Sequence, residues 1–117
     1  MAKYQTGKHL EAFILLYLSQ SSAHGGSVLQ WLHEALPNVW TIDSGRVYRV
    51  LRELEEAGAL QSHWVTEDTG APLREYTLTE LGKHQLALCR DEISVRRDSL
   101  SRFLTLYDSW LGDQPKE

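Results

Sequence analysis

Apolar residues in this chain recur with helical spacing in four stretches, and with alternating spacing in two shorter runs between the third and the fourth. From His9 to about Gln20, Leu10, Phe13, Ile14, Leu15, Leu16, Tyr17 and Leu18 are dense enough to predict a helix buried on most of its surface. Ser19 to Gly26, SQSSAHGG, is a run of small and turn-forming residues that breaks it. Ser27 is then placed to cap a second helix through Val28, Leu29, Trp31, Leu32 and Ala35, with Pro37 and Asn38 stopping it. Val39 to Ile42 is a short, largely apolar linker. The third stretch, Thr41 to Leu60, offers Asp43 or Ser44 as N-cap and ends in the helix-closing Gly58.

After Gly58 the period changes. Ala59 to Val65 and Arg74 to Leu78 are strand candidates rich in β-forming residues, and Thr66 to Pro72, TEDTGAP, has loop chemistry around Gly70. Three helices followed by a two-stranded hairpin predict a mainly α fold with a small β hairpin, a winged helix-turn-helix. Thr79 caps a last helical pattern that continues for about 32 residues to Leu111, about 48 Å at 1.5 Å per residue. Leu86, Ile93, Leu100 and Tyr107 recur every seven residues, with Cys89, Arg96, Phe103 and Trp110 at the companion positions and Leu104 and Leu111 widening the stripe. A helix of that length cannot bury both ends on so small a domain, so its seam calls for a second subunit. The alternative is an amphipathic helix folded back on its own domain, and Arg96 makes the packing looser than a regular coiled coil. The expected division is a winged-helix domain over residues 1–78, a dimerisation helix over 79–111 and a disordered tail over 112–117, with the first eight residues a frayed tail or a short basic arm carrying Lys3 and Lys8.

Composition changes this picture at few points. With 117 residues and 42% hydrophobic content the chain suits one domain with a core. The single cysteine, Cys89, excludes an intrachain disulfide and fits a reducing cytosol; the start MAKYQTGKHLEAF lacks a signal-peptide pattern and no apolar run reaches the length of a membrane span, so a soluble cytoplasmic protein is expected. Twelve Lys and Arg against sixteen Asp and Glu give a net charge of −4, so any nucleic-acid binding must come from local charge. The third helix supplies it. At about 100° per residue, Val47, Val50, Leu51 and Leu54 gather on one side while Arg46, Arg49 and Arg52 sweep across the other. The Arg precede Glu53, Glu55 and Glu56, an order that the helix dipole disfavours. An anionic partner near the N-terminal end accounts for it, and DNA phosphates and base edges suit such a face. The competing account is a solvated face with Arg49–Glu53 and Arg52–Glu56 pairs four residues apart.

In these pieces the chain resembles the PadR family of bacterial winged-helix transcriptional regulators over about residues 10–110. The resemblance rests on His24-Gly25 after the first helix, and on Ser44-Gly45-Arg46-Val47-Tyr48 with Leu51, Leu54 and Glu55 to Gly58 in the third. It continues in Arg74-Glu75-Tyr76-Thr77-Leu78-Thr79-Glu80-Leu81-Gly82 between wing and last helix. It implies a homodimeric repressor that binds an inverted-repeat operator and often releases it on meeting a small effector. Three positions depart from the family pattern. The wing reads Gly70-Ala71-Pro72-Leu73-Arg74 where a basic run is common, Gly26 stands where a Tyr commonly follows His-Gly, and Ile93 occupies the place of a Trp found in some drug-binding members.

The residues expected at DNA are Ser44, Arg46, Tyr48, Arg49, Arg52 and Arg74, since Arg forks address guanine edges or phosphates and Ser and Tyr hydroxyls suit phosphate oxygens. Tyr48 has the alternative of packing its ring under the helix. Dimerisation is expected through Leu86, Ile93, Leu100, Phe103, Leu104, Tyr107 and Trp110. A small aromatic or apolar effector is expected to use Trp31, Trp64, Phe103 and Trp110, although Trp residues are more often core or interface. His9, His24, His33, His63 and His84 have no metal-ligand spacing with Cys89, and His24 reads as a turn or cap residue. With no nucleophile motif and no phosphate loop, neither an enzyme nor a cofactor is expected. A winged-helix module that meets another protein instead of DNA is the competing class, favoured by the acidic total and the poorly basic wing.

Overall fold

The computed structural model describes residues 4–5, 9–38, 40–66 and 70–115. Nine elements follow in order, β1 (Tyr4–Gln5), α1 (Leu10–Gln20), β2 (Ala23–His24), α2 (Gly25–Ala35), β3 (Trp40–Thr41), α3 (Ser44–Glu56), β4 (Leu60–Val65), β5 (Leu73–Leu78) and α4 (Glu80–Gly112). The three-stranded antiparallel sheet has the order β2-β5-β4, and β4 pairs with β5 from Leu60↔Leu78 to Val65↔Leu73. This is the winged-helix architecture that the sequence pattern predicts. A second pairing was not expected. Tyr4–Gln5 lies parallel to Trp40–Thr41, so part of the predicted tail is a strand and the predicted linker supplies its partner. Lys3 and Lys8 lie outside the described residues.

The chain falls into two compact units, residues 1–86 and 87–117. In the first, one apolar face of each helix meets the sheet. Leu10, Ile14 and Leu15 of α1, Val28 and Leu32 of α2, Val47 and Leu51 of α3, and Leu60 of β4 are at most 1% exposed. Each contributes about 1.5–3 kcal/mol relative to leaving it in water. α1 is less enclosed than its composition suggests. Leu16 is exposed, and Tyr17 is half-buried, its ring stacked on Trp31 of α2 with centroids 5.0 Å apart.

The helix starts show which residues do the capping. α2 begins two residues before the expected Ser27, because His24 is the cap. Its Nδ1 accepts from the Gly26 and Ser27 amides at 3.1 and 3.4 Å, which leaves Nε2–H to donate to Ser27 Oγ at 3.0 Å. Asp43 caps α3, its Oδ1 accepting from the Gly45 amide at 2.9 Å. α3 is therefore shorter than the Thr41–Leu60 pattern, and it ends through Gly58, whose φ of +86° a side chain would disfavour. Thr79 caps α4 as predicted, accepting from the Gly82 amide at 3.0 Å, and its hydroxyl donates back to the Gly58 carbonyl at 2.6 Å.

In the second unit α4 continues to Gly112, and the Asp113 amide bonds back to Ser109 and Trp110 carbonyls. Leu100, Phe103, Leu104, Tyr107, Trp110 and Leu111 are all exposed. Phe103, Tyr107 and Trp110 form a row of ring contacts with centroid spacings of 6.4 and 5.6 Å.

Candidate nucleic-acid interface

α3 divides cleanly into two faces. Val47, Leu51 and Leu54 are buried, while Ser44, Arg46, Tyr48, Arg49 and Arg52 are exposed. This follows from the sequence spacing, since apolar side chains three and four apart form one stripe and Arg every three residues walk across the other side. With Asp43 occupying the N-cap, the carboxylate meets the positive end of the helix dipole. The pairs that a merely solvated face would use do not form. Among the described residues, neither Arg49 with Glu53 nor Arg52 with Glu56 makes an ion pair, and the acidic residue of α3 that finds a cation is Glu55.

Tyr48 occupies a position between packing and exposure. Its side chain lies against the start of α2, where a Cβ on Gly25 would sit 2.3 Å from the ring, yet the residue remains 44% exposed. Gly25 therefore lets the second helix begin directly beside the third, with Tyr48 packed against it and still partly exposed. The sequence signal was present in His24-Gly25, but only the fold shows what the glycine accommodates.

Arg74, the wing cation, is placed differently from the Arg of α3. It stands on β5 opposite Trp64 of β4. Its Nη2 donates to Glu55 Oε1 at 2.8 Å and its Nε to Ser62 Oγ at 2.8 Å. Ser62 Oγ in turn donates to Glu55 Oε2. The guanidinium carbon is 5.9 Å from the ring centres of both Trp64 and Tyr76. Burial lifts the Tyr76 hydroxyl above its ordinary pKa, with Arg74 pulling the other way. Sequence reasoning did not find Glu55 and Ser62, because their link to Arg74 depends on the strand register and on the turn after α3. On the wing, Glu67 and Asp68 lie outside the described residues.

The aromatic residues expected at an effector site lie in separate settings. Trp31 stacks on Tyr17 and approaches Phe13 at 6.5 Å, Trp64 lies beside Arg74 and is 67% exposed, and Phe103 and Trp110 each contact Tyr107. Of the expected dimerisation residues, Leu86 is half-buried, and Ile93, Leu100, Phe103, Leu104, Tyr107 and Trp110 are exposed. Among the described residues no three His, Cys, Asp or Glu gather as metal ligands, and no helix is long and apolar enough to cross a membrane.

Comparison with known proteins places this geometry. The model of the transcriptional regulator PadR-like family matches residues 14–88. A PadR family transcription regulator from Clostridium difficile is similar at 21% identity and a TM-score of 0.72, over 82% of this chain and 98% of the other. A PadR-like transcription factor from Bacteroides fragilis is similar at 25% identity and a TM-score of 0.68, over 82% and 90%. A transcriptional regulator from Clostridium thermocellum has 18% identity and a TM-score of 0.74, over 82% and 90%. No curated protein sequence matches the chain at a significant level.

Proposed function

Because the chain belongs to the PadR-like family of transcriptional regulators, we propose that it binds a double-stranded DNA operator with α3 in the major groove, as a homodimeric repressor. The observation that carries this reading is the split of α3 into a buried apolar stripe and an exposed face bearing Arg46, Arg49 and Arg52, with Arg49 and Arg52 unpaired by the acids that follow them. In this reading the Arg forks meet phosphates and guanine edges, and Ser44 and Tyr48 give hydroxyls to phosphate oxygens. Arg74 is already engaged by Glu55 and Ser62, so most of the contact falls to α3.

The dimer in this proposal forms through the exposed apolar row of α4, which includes Leu100, Phe103, Leu104, Tyr107 and Trp110. An isologous pairing of two such helices removes those side chains from water and presents two α3 helices to an inverted repeat. Release by a small aromatic or apolar effector completes the proposal, and Trp64, which lies outside the α4 row and is 67% exposed, supports it as a ring on which such a molecule can stack.

A mobility assay on a duplex from upstream of the chain's own gene, run across a salt series, tests the reading. Binding should weaken steeply with salt, and Arg49→Ala should weaken it further, reducing the salt slope by about one if the contact is to phosphate. Unchanged binding by Arg49→Ala at controlled salt would remove α3 from the interface. Absence of any DNA binding by the parent protein would favour a protein partner for the same surface.

A further inference from the structure

Among the described residues the wing hairpin carries one Lys or Arg, Arg74, and that cation is engaged by α3 and β4. Arg74 reaches from β5 to Glu55 near the end of α3, with Ser62 of β4 bonded to both, so three hydrogen bonds close a triangle over three elements. The triangle spans the turn at Gly58, the tight backbone reversal that joins α3 to the hairpin. Glu55 and Ser62 stand on either side of that turn, and Arg74 adds the second strand. The Trp64 and Tyr76 rings flank the guanidinium at equal distances of 5.9 Å, which limits the directions in which it can swing. A phosphate approaching this guanidinium would meet the Glu55 carboxylate already beside it.

We infer that Glu55, Ser62 and Arg74 form a brace that fixes the wing hairpin against the recognition helix, and that Arg74 is a positioning residue for DNA binding rather than a phosphate contact. The inference rests on the DNA-binding reading above. Its physical content is preorganisation. A hairpin held to α3 before binding does not have to be ordered when the operator arrives, so affinity is gained without any added charge at the interface.

Charge and position make opposite predictions for one conservative substitution. Glu55→Gln removes a negative charge from beside the proposed interface, which by electrostatics alone should tighten binding. As a loss of the brace it should weaken binding, by roughly threefold to tenfold for a half-exposed charge-assisted bond. Arg74→Lys keeps the charge but loses the fork, and the brace predicts a weakening close to that of Arg74→Ala. The double change Glu55→Gln with Arg74→Ala should be no worse than Arg74→Ala alone.

The experiment measures binding of these variants to the upstream duplex across a salt series, with hydrogen exchange of the unbound proteins alongside. The expected result is weaker binding with an unchanged salt slope, together with faster amide exchange in residues 60–65 and 73–78 for Glu55→Gln. Tighter binding by Glu55→Gln, or a slope reduced by about one in Arg74→Ala, would make Arg74 a phosphate contact and overturn the brace. If the parent protein binds no DNA, the functional reading fails, and the exchange data decide the brace by themselves. Unchanged exchange in Glu55→Gln would then refute it.

Discussion

Gly82→Ala sets two well-understood effects against each other, and their sum has a definite sign. Gly82 is the third residue of α4 and is buried. On helix propensity alone, alanine there should stabilise by about 0.5–1 kcal/mol. A Cβ, however, would lie 2.2 Å from the Ala59 carbonyl oxygen and 2.5 Å from a Leu78 methyl, where ordinary contact begins at 3.4 Å. The Ala59 oxygen belongs to the backbone and already accepts from the Thr79 amide at 3.1 Å, so relief requires a shift of about 1 Å in the α4 start or in the α3–β4 turn. Overpacking costs about 1–3 kcal/mol, with the upper end apt for a backbone partner, and one strained capping bond adds about 1 kcal/mol. The net loss is about 2–3 kcal/mol, or roughly 10–20 °C in Tm for a domain of this size. Thermal unfolding followed by far-UV circular dichroism measures it. Gly112→Ala is the control, since a Cβ there meets nothing within 4 Å. A Tm for Gly82→Ala equal to or above that of the parent would refute the steric account and leave propensity in charge.

Two further outcomes follow from the structure. The Tyr76 hydroxyl has a pKa raised above 10.0, first by burial, so this residue's contribution to stability is complete below about pH 10 and is lost as pH rises towards the folded-state value. Tyr76→Phe should flatten the fall in Tm between about pH 9.5 and 11, and an unchanged alkaline slope would assign that fall to other groups. For the proposed dimer, Leu100→Asp places a carboxylate in the exposed apolar row of α4. Sedimentation equilibrium should show a shift from dimer to monomer by at least tenfold in dissociation constant, and an unaltered dimer would move the interface elsewhere.

What was legible in the sequence was whatever depends on local period and turn chemistry. The Val47, Leu51 and Leu54 stripe specifies both that α3 is a helix and which side is buried, so its Arg face is readable from spacing alone. Gly58 and Thr79 were readable for the same reason, each satisfying a backbone requirement within a few residues of itself. The start of α2 was misplaced because Ser27 and His24 are both credible caps, and only the approach of Tyr48 to Gly25 shows why the helix begins early. Tyr4–Gln5 could not be seen to pair with Trp40–Thr41, since a two-residue parallel pairing carries no periodic signal. The Glu55–Ser62–Arg74 triangle was invisible in another way. Its members are 7, 12 and 19 residues apart, and their meeting requires the hairpin register to be known first.

The charge balance sets a ceiling on how an acidic chain of this kind meets DNA. With 16 acids against 12 cations, general attraction is absent, and the cations on α3 are Arg46, Arg49 and Arg52. The logarithm of affinity falls with the logarithm of salt at about −0.9 per phosphate neutralised. One α3 therefore accounts for a slope no steeper than about −2.7, and two for about −5.4. Between 50 and 200 mM salt these correspond to losses of roughly fortyfold and on the order of 10³-fold. Each Arg that addresses a guanine edge instead of a phosphate makes the slope shallower while adding about 1–3 kcal/mol of base discrimination. A two-copy complex should consequently bind its operator with a slope no steeper than about −5.4 and discriminate well against unrelated DNA, because nonspecific attraction contributes little. Measured slopes steeper than about −5.4 would require cations beyond the two α3 faces, with Arg74 or the basic Lys3 and Lys8 segment as sources, and would refute the assignment of phosphate contact to α3 alone. If Arg74 were that source, its substitution would recover a slope within the ceiling, and the wing would be a contact rather than a braced support.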